Sequence, residues 1–271
     1  MQDQRRGVHL NHAGASPSPQ RVLERVYAHL KLEQDDGGYA AQNAVQDSGE
    51  LNKVYCDVAK LIHAADTTTE SSLSTASAPE IALVESATVG WTRAFYAMVQ
   101  RDEKERKVRF NVDSDLPSTT TRVILISEAE YAANVVAACQ WARDHDDHWI
   151  VLAIPSSSSN GESTGMVDLN VFDSMLKGTF LYKNELGEDV PLDPSSIAIV
   201  CITHVPTNSG IVNPVEEIGE RISNYNERKN RQEGEGLYLD SIKYLVDACQ
   251  SVGQMDVNVQ KIKCDALVAT G

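Results

Sequence analysis

The sequence contains no C-x-x-C pair, and its five cysteines, Cys56, Cys139, Cys201, Cys249 and Cys264, are widely spaced and odd in number. A zinc knuckle and a disulfide framework are therefore not signalled, and reduced thiols in a cytoplasmic setting fit best. No run of about 18 apolar residues occurs, and the segment from Met1 to Gly7 lacks the apolar core of a secretory leader. The sequence thus gives no sign of a membrane span, while an organellar address stays open. Basic residues are scarce as well: 24 Lys and Arg stand against 39 Asp and Glu, a formal charge of −15. That balance points away from nucleic acid or an anionic membrane as partner, so an anionic ligand needs a local set of donors. No internal repeat is visible.

What is present suffices for a large core: 271 residues, 42% of them hydrophobic. Apolar, β-branched runs alternate with stretches of helical periodicity, the pattern of an α/β fold with a mostly parallel sheet flanked by helices. Expected strands are Ile81 to Glu85, Arg122 to Ser127, Trp149 to Ile154, Ile197 to Thr203, Tyr244 to Asp247 and Ala266 to Ala269. Expected helices are Gln20 to Leu32, Gly49 to His63, Thr88 to Gln100, Ala132 to Asp144 and Val215 to Asn226. Three polar or charged tracts, Ala65 to Pro79, Asp102 to Thr121 and Arg228 to Gly236, read as surface loops, because none holds enough apolar surface to offset its ordering entropy. Ser156 to Gly161 reads as a flexible polar turn, in preference to a phosphate cradle. The expected division is an N-terminal segment over 1–64, a polar insertion over 65–79 and a major α/β domain over 80–271.

The most informative stretch is Y-L-V-D-A-C-Q-S-V-G-Q from Tyr244 to Gln254, an apolar strand that ends in an acid and a polar turn. Ligands of open α/β sheets sit at such strand ends. Asp247 has two readings by itself, a loop cap or a carboxylate that holds a proton on a heterocyclic nitrogen. Two further runs accompany it: I-T-H-V-P-T-N-S-G-I-V-N-P-V-E-E-I-G from Ile202 to Gly219, and C-D-A-L-V-A-T-G at the end. Earlier come L-N-H-A-G-A-S-P-S-P, E-S-A-T-V-G-W and E-Y-A-A-N-V-V-A. In this order the runs resemble the class V aminotransferase group of fold-type I pyridoxal-phosphate (PLP) enzymes, which includes cysteine desulfurases, selenocysteine lyases and isopenicillin N epimerase-like proteins.

The resemblance implies roles for particular residues. At the Asp247 position an aspartate pairs with the pyridinium nitrogen of the cofactor and lets the ring accept electrons. Gln250 matches a glutamine that hydrogen-bonds the ring's phenolic oxygen. Ala87 and Thr88 fall where the cofactor phosphate binds, at a helix N-terminus whose N–H groups need no basic side chain. Thr270 matches a hydroxyl residue that adds a phosphate contact. Thr207 aligns with an asparagine near the ring oxygen, with Asn208 beside it, and His12 and Gly14 fall in a loop that approaches the substrate.

Tyr131 departs from the pattern, since desulfurases place a ring-stacking histidine there. A phenol also stacks, yet it is a poorer proton shuttle at neutral pH than an imidazole, which disfavours an ordinary desulfurase. His204 lies in the family motif but reads as structural. Cys249 reads as a small buried thiol, and none of the cysteines looks like a desulfurase nucleophile. His145 and His148, with Asp144 and Asp147, read as a solvated loop and not as a metal site.

In the group, A-T-G runs on into an arginine or histidine and then the Schiff-base lysine, whereas this sequence ends at Gly271. The resemblance therefore predicts that the lysine, one interior antiparallel strand and a C-terminal small domain are absent here. Two readings follow. One is a truncated chain of a PLP enzyme acting on an amino acid by lyase, desulfurase, epimerase or transaminase chemistry, homodimeric when full length. The other is a non-catalytic remnant that binds phosphate or a partner.

Overall fold

The computed structural model describes residues 16–64, 80–110, 121–145, 148–159, 162–184, 186–233 and 241–270. Two compact units divide the chain, one of Met1–Lys60 with Ala65–Ala82, the other of Leu61–Ala64 with Leu83–Gly271.

The described part of the first unit is helical: α1 Gln20–Asp36, α2 Gly38–Asp47 and most of α3 Glu50–Leu61. Gly37, at φ 86°, makes the break between α1 and α2, a backbone conformation that side chains disfavour. Ala41 and Ala59 are its buried apolar residues among those described, and Val26, Leu30, Leu51 and Val54 line an open groove of about 550 Å³. Arg25 and Glu50 pair across it.

In the second unit a long helix, α4 Ala87–Phe110, precedes β1 Arg122–Ser127, α5 Ala132–Asp144 and β2 Trp149–Ile154. Two small hairpins follow, β3 Ser156–Ser159 with β4 Glu162–Val167 and β5 Leu181–Lys183 with β6 Asp189–Pro191, separated by α6 Leu169–Leu176. The chain then returns through β7 Ile197–Thr203, α7 Val215–Glu233, β8 Lys243–Asp247, α8 Val259–Ile262 and β9 Ala266–Val268. The main sheet has five strands in the order β2-β1-β7-β8-β9, all pairs parallel.

Both faces of this sheet are covered, which is why its strands read as continuous apolar runs. Val123 and Leu125 join a core with Phe172, Met175 and Ile218 of α6 and α7, while Ile124 and Ile126 face Trp91, Phe95 and Trp141 of α4 and α5. Helix α7 lies so close to the end of α8 that a Cβ on Gly219 would stand 1.8 Å from the carbonyl oxygen of Ile262.

Four sequence expectations are corrected. Ile81 to Glu85 forms no strand: Leu83 and Val84 are 52% and 39% exposed, and apolar β-branched content does not make a strand without a neighbour to pair with. Asp102 to Thr121 is not a loop throughout, because 102–110 continue α4 with Asp102 and Arg106 turned inward. Likewise α7 runs on through Arg228 to Glu233, its polar residues forming a solvated helical face. Ser156 to Ser159 is a strand that pairs with β4, the register fixed by backbone bonds and not by side-chain pattern. Ala65 to Pro79 lies outside the described residues.

Candidate functional site

The strand order reverses between β1 and β7: from β1 the chain steps outward to β2, then returns to the other side of β1 for β7, β8 and β9. Ligands of open α/β sheets bind beyond the carboxyl ends of the strands at such a switch point. The ends of β1, β7, β8 and β9 there, with the loops that leave them, carry Tyr131, then Thr207 and Asn208, then Asp247 and Gln250, then Thr270. On the last rung Thr203 pairs with Asp247, and Asp247 with Val268. The sheet thus brings together residues more than a hundred positions apart.

The Ala87–Thr88 segment joins them through α4, which packs on β7, β8 and β9. A Cβ on Gly90 would lie 3.4 Å from Val268 Cγ1, so the first turn of α4 stands beside the end of β9. Ser86 caps the helix, its Oγ accepting from the Val89 N–H at 3.2 Å. That leaves the Ala87 and Thr88 amides as first-turn donors without an intrahelical partner. Thr88 is therefore not the cap, and its side chain is exposed.

Asp247 is 6% exposed. Its Oδ1 accepts from the Cys249 N–H at 3.1 Å, its Oδ2 from Asn134 Nδ2 at 3.0 Å, and its carbonyl from the His204 N–H at 2.8 Å. The Cys249 thiol also bonds the carboxylate, so one lone-pair site is left for another donor. Gln250 is half-buried in the turn that follows, whereas Thr207, Asn208 and Thr270 are exposed and Tyr131, at the N-cap of α5, is 46% exposed.

A second carboxylate, Glu130, sits behind Tyr131. It accepts from Ser127 Oγ at 2.8 Å, Asn134 Nδ2 at 2.8 Å, the Thr203 N–H at 2.9 Å and the Thr203 hydroxyl. Burial pushes its pKa up, against these donors. The motif E-Y-A-A-N-V-V-A contains both Glu130 and Asn134, yet nothing in its spacing marks them, because their partner Thr203 lies on another strand.

His204 is buried, and its Nδ1 lies 3.0 Å from Ser251 Oγ. The Ser251 proton goes to the Ala248 carbonyl at 3.1 Å, so the imidazole is the donor to Oγ; desolvation pulls its pKa down. The Cys249 thiol is pushed up to about 12, first by burial, then by the neighbouring Asp247 charge and by its hydrogen bond to that carboxylate. His145 stacks on Trp141 with ring centroids 3.9 Å apart. His12 and Gly14 lie outside the described residues. None of the described helices is long and apolar enough to cross a membrane.

This architecture is shared with solved PLP-dependent enzymes. A variant of C-DES with glycine covalently linked to its PLP cofactor superposes with a TM-score of 0.61 at 16% identity, over 97% of this chain and 52% of that one. A NifS-like protein gives 0.61 at 16% identity, over 96% and 53%. Residues 192–271 match the family model described as Aminotransferase class-V, which bears out the resemblance read from the motifs. A probable cysteine desulfurase of Pyrococcus abyssi (strain GE5 / Orsay) is 34% identical over 73 residues, 27% of this chain and 14% of that protein. The chain therefore spans about half the length of the solved structures it matches and a smaller share of the curated relative.

Proposed function

We propose that this chain carries the PLP-binding region of a class V aminotransferase-like enzyme that acts on an amino acid. The observation that supports it best is the buried Asp247 carboxylate at the end of β8, with a lone-pair site still open and a helix N-terminus at the neighbouring strand end. These residues fit the cofactor's two demands, an anion at a protonated ring nitrogen and uncharged donors at a phosphate. In so acidic a chain, backbone donors meet the second demand without a basic side chain.

Asp247 would hold the proton of the ring nitrogen, fixed by the Cys249 amide and Asn134. Ala87 and Thr88 would bind the phosphate, with Thr270 adding a hydroxyl. Gln250, with Thr207 or Asn208, would donate to the ring's phenolic oxygen, and Tyr131 would cover one ring face. When bound, PLP supplies an electron sink for charge developing at the α-carbon of an amino acid. The name of the Pyrococcus relative favours desulfuration, whereas a phenol at 131 in place of an imidazole favours lyase or epimerase chemistry. His12 and Gly14 would lie on the substrate side.

Equilibrium titration with PLP, followed by cofactor absorbance, tests the reading. Saturable binding that Asp247→Ala weakens by about tenfold or more is expected, this being the worth of one charge-assisted hydrogen bond. Binding that inorganic phosphate displaces completely and that Asp247→Ala leaves untouched would instead identify a simple anion site.

A further inference from the structure

Asn134 reaches two carboxylates, the half-buried Glu130 and the buried Asp247, with one nitrogen. Its Nδ2 lies 2.8 Å from Glu130 Oε1 and 3.0 Å from Asp247 Oδ2. An amide NH2 group has two protons, so each carboxylate takes one and the nitrogen is fully used. The amide cannot be turned the other way, since its oxygen would then face two carboxylate oxygens with no proton between them. Asn134 is 2% exposed and sits in the first turn of α5, where an apolar side chain would fill the space without the desolvation that an amide suffers.

The two carboxylates it joins are held differently. Glu130 accepts four hydrogen bonds, from Ser127, Asn134 and twice from Thr203, which occupies the lone-pair sites of a carboxylate. It is a saturated, immobile post. Asp247 accepts from the Cys249 amide, the Cys249 thiol and Asn134, which leaves one of its four lone-pair sites open to a further donor.

We propose that Asn134 is the positioning residue of Asp247: anchored on Glu130, its amide sets the rotation of the Asp247 carboxylate so that the open lone pair faces the protonated nitrogen of a bound heterocycle. The proposal rests on the reading of Asp247 given above. It assigns Glu130 a supporting role, separated from the ligand by Asn134 and Asp247, and no contact with it.

The test compares the affinity of the protein for two probes, PLP and its deaza analogue, in which carbon replaces the ring nitrogen. Asn134→Leu keeps the bulk and removes both bonds, and Asn134→Ala removes them without added bulk if the leucine variant fails to fold, with circular dichroism as the check. Expected is a loss of about tenfold or more for PLP with a change of less than about twofold for the deaza analogue. An equal loss for both probes, or no loss for either, overturns the proposal, because a residue that only supports the fold does not distinguish nitrogen from carbon. Asp247→Ala is measured alongside. If it is selective for PLP and the Asn134 variants are not, only the positioning role fails; if it too weakens both probes equally, the pairing of Asp247 with the ring nitrogen fails first.

Discussion

Arg122 opens β1 with its guanidinium buried against Asp102 of α4: Nε donates to Oδ2 at 2.9 Å, a second nitrogen donates to Oδ1, and a third reaches the Ser195 carbonyl at 2.8 Å. The side chains are 3% and 8% exposed. A buried pair of this kind adds little net stability, because desolvation offsets the attraction, but removing one partner strands the other. Asp102→Ala is expected to lower unfolding free energy by about 3–5 kcal/mol in urea titration, and the double variant Asp102→Leu with Arg122→Met by clearly less. Equal losses for the two would show that packing, not stranded charge, sets the effect.

Gly219 admits no side chain without movement of the Ile262 backbone. Gly219→Ala is expected to cost about 1–3 kcal/mol through overpacking, although alanine favours helix over glycine by about 1 kcal/mol elsewhere. Thermal unfolding measures the sign. A stabilised variant would mean that α7 and α8 separate freely.

Ser86 and Thr88 stand two residues apart with separable duties. Ser86→Ala, which removes the cap on the Val89 amide, is expected to cost about 1 kcal/mol of stability. Thr88→Val is expected to leave stability within about 0.5 kcal/mol and to weaken PLP binding several-fold, a surface substitution with a local consequence. Reversal of the two effects in paired unfolding and binding measurements would move the cap to Thr88.

Cys249 and Cys264, each pushed up to about 12 chiefly by burial, stay protonated in the folded state where an unfolded chain ionises near 9. The unfolded state therefore loses protons first as pH rises. The stability contributed by these thiols is complete below about pH 9 and is lost as pH climbs toward 12. Urea midpoints are expected to fall across that window, less so in Cys249→Ala. In the folded protein at pH 8 iodoacetamide should modify the exposed Cys139 well before Cys249; equal rates would contradict the burial of Cys249.

The sheet was legible because β1, β7 and β8 are covered on both faces and so read as unbroken apolar runs. Ile81 to Glu85 shows the same composition and no pairing, since a strand needs a neighbour that its own residues do not encode. Asp102 was illegible for a related reason: a charge looks solvated until its partner, Arg122, appears from across a helix. Asp247, Gln250 and Thr88 could be named from motifs, whereas Glu130 and Asn134 become meaningful only when Thr203 and Asp247 arrive on adjacent strands. Local order shows where a loop begins; it does not show what stands behind it.

Helix α4 connects two ends of the domain that have separate tasks. Its first turn supplies the Ala87 and Thr88 amides at the C-terminal edge of the sheet, and Asp102, about fifteen residues and roughly 22 Å further along, clasps the opposite end of β1. The clasp acts as a depth stop for the rod. A slip of one residue would lower the amides by about 1.5 Å and swing them by about 100°, enough to carry both donors out of reach of an anion. On the proposed reading, the height at which a phosphate would sit above the sheet is gauged from the bottom of the sheet, by a salt bridge about 22 Å away along the helix.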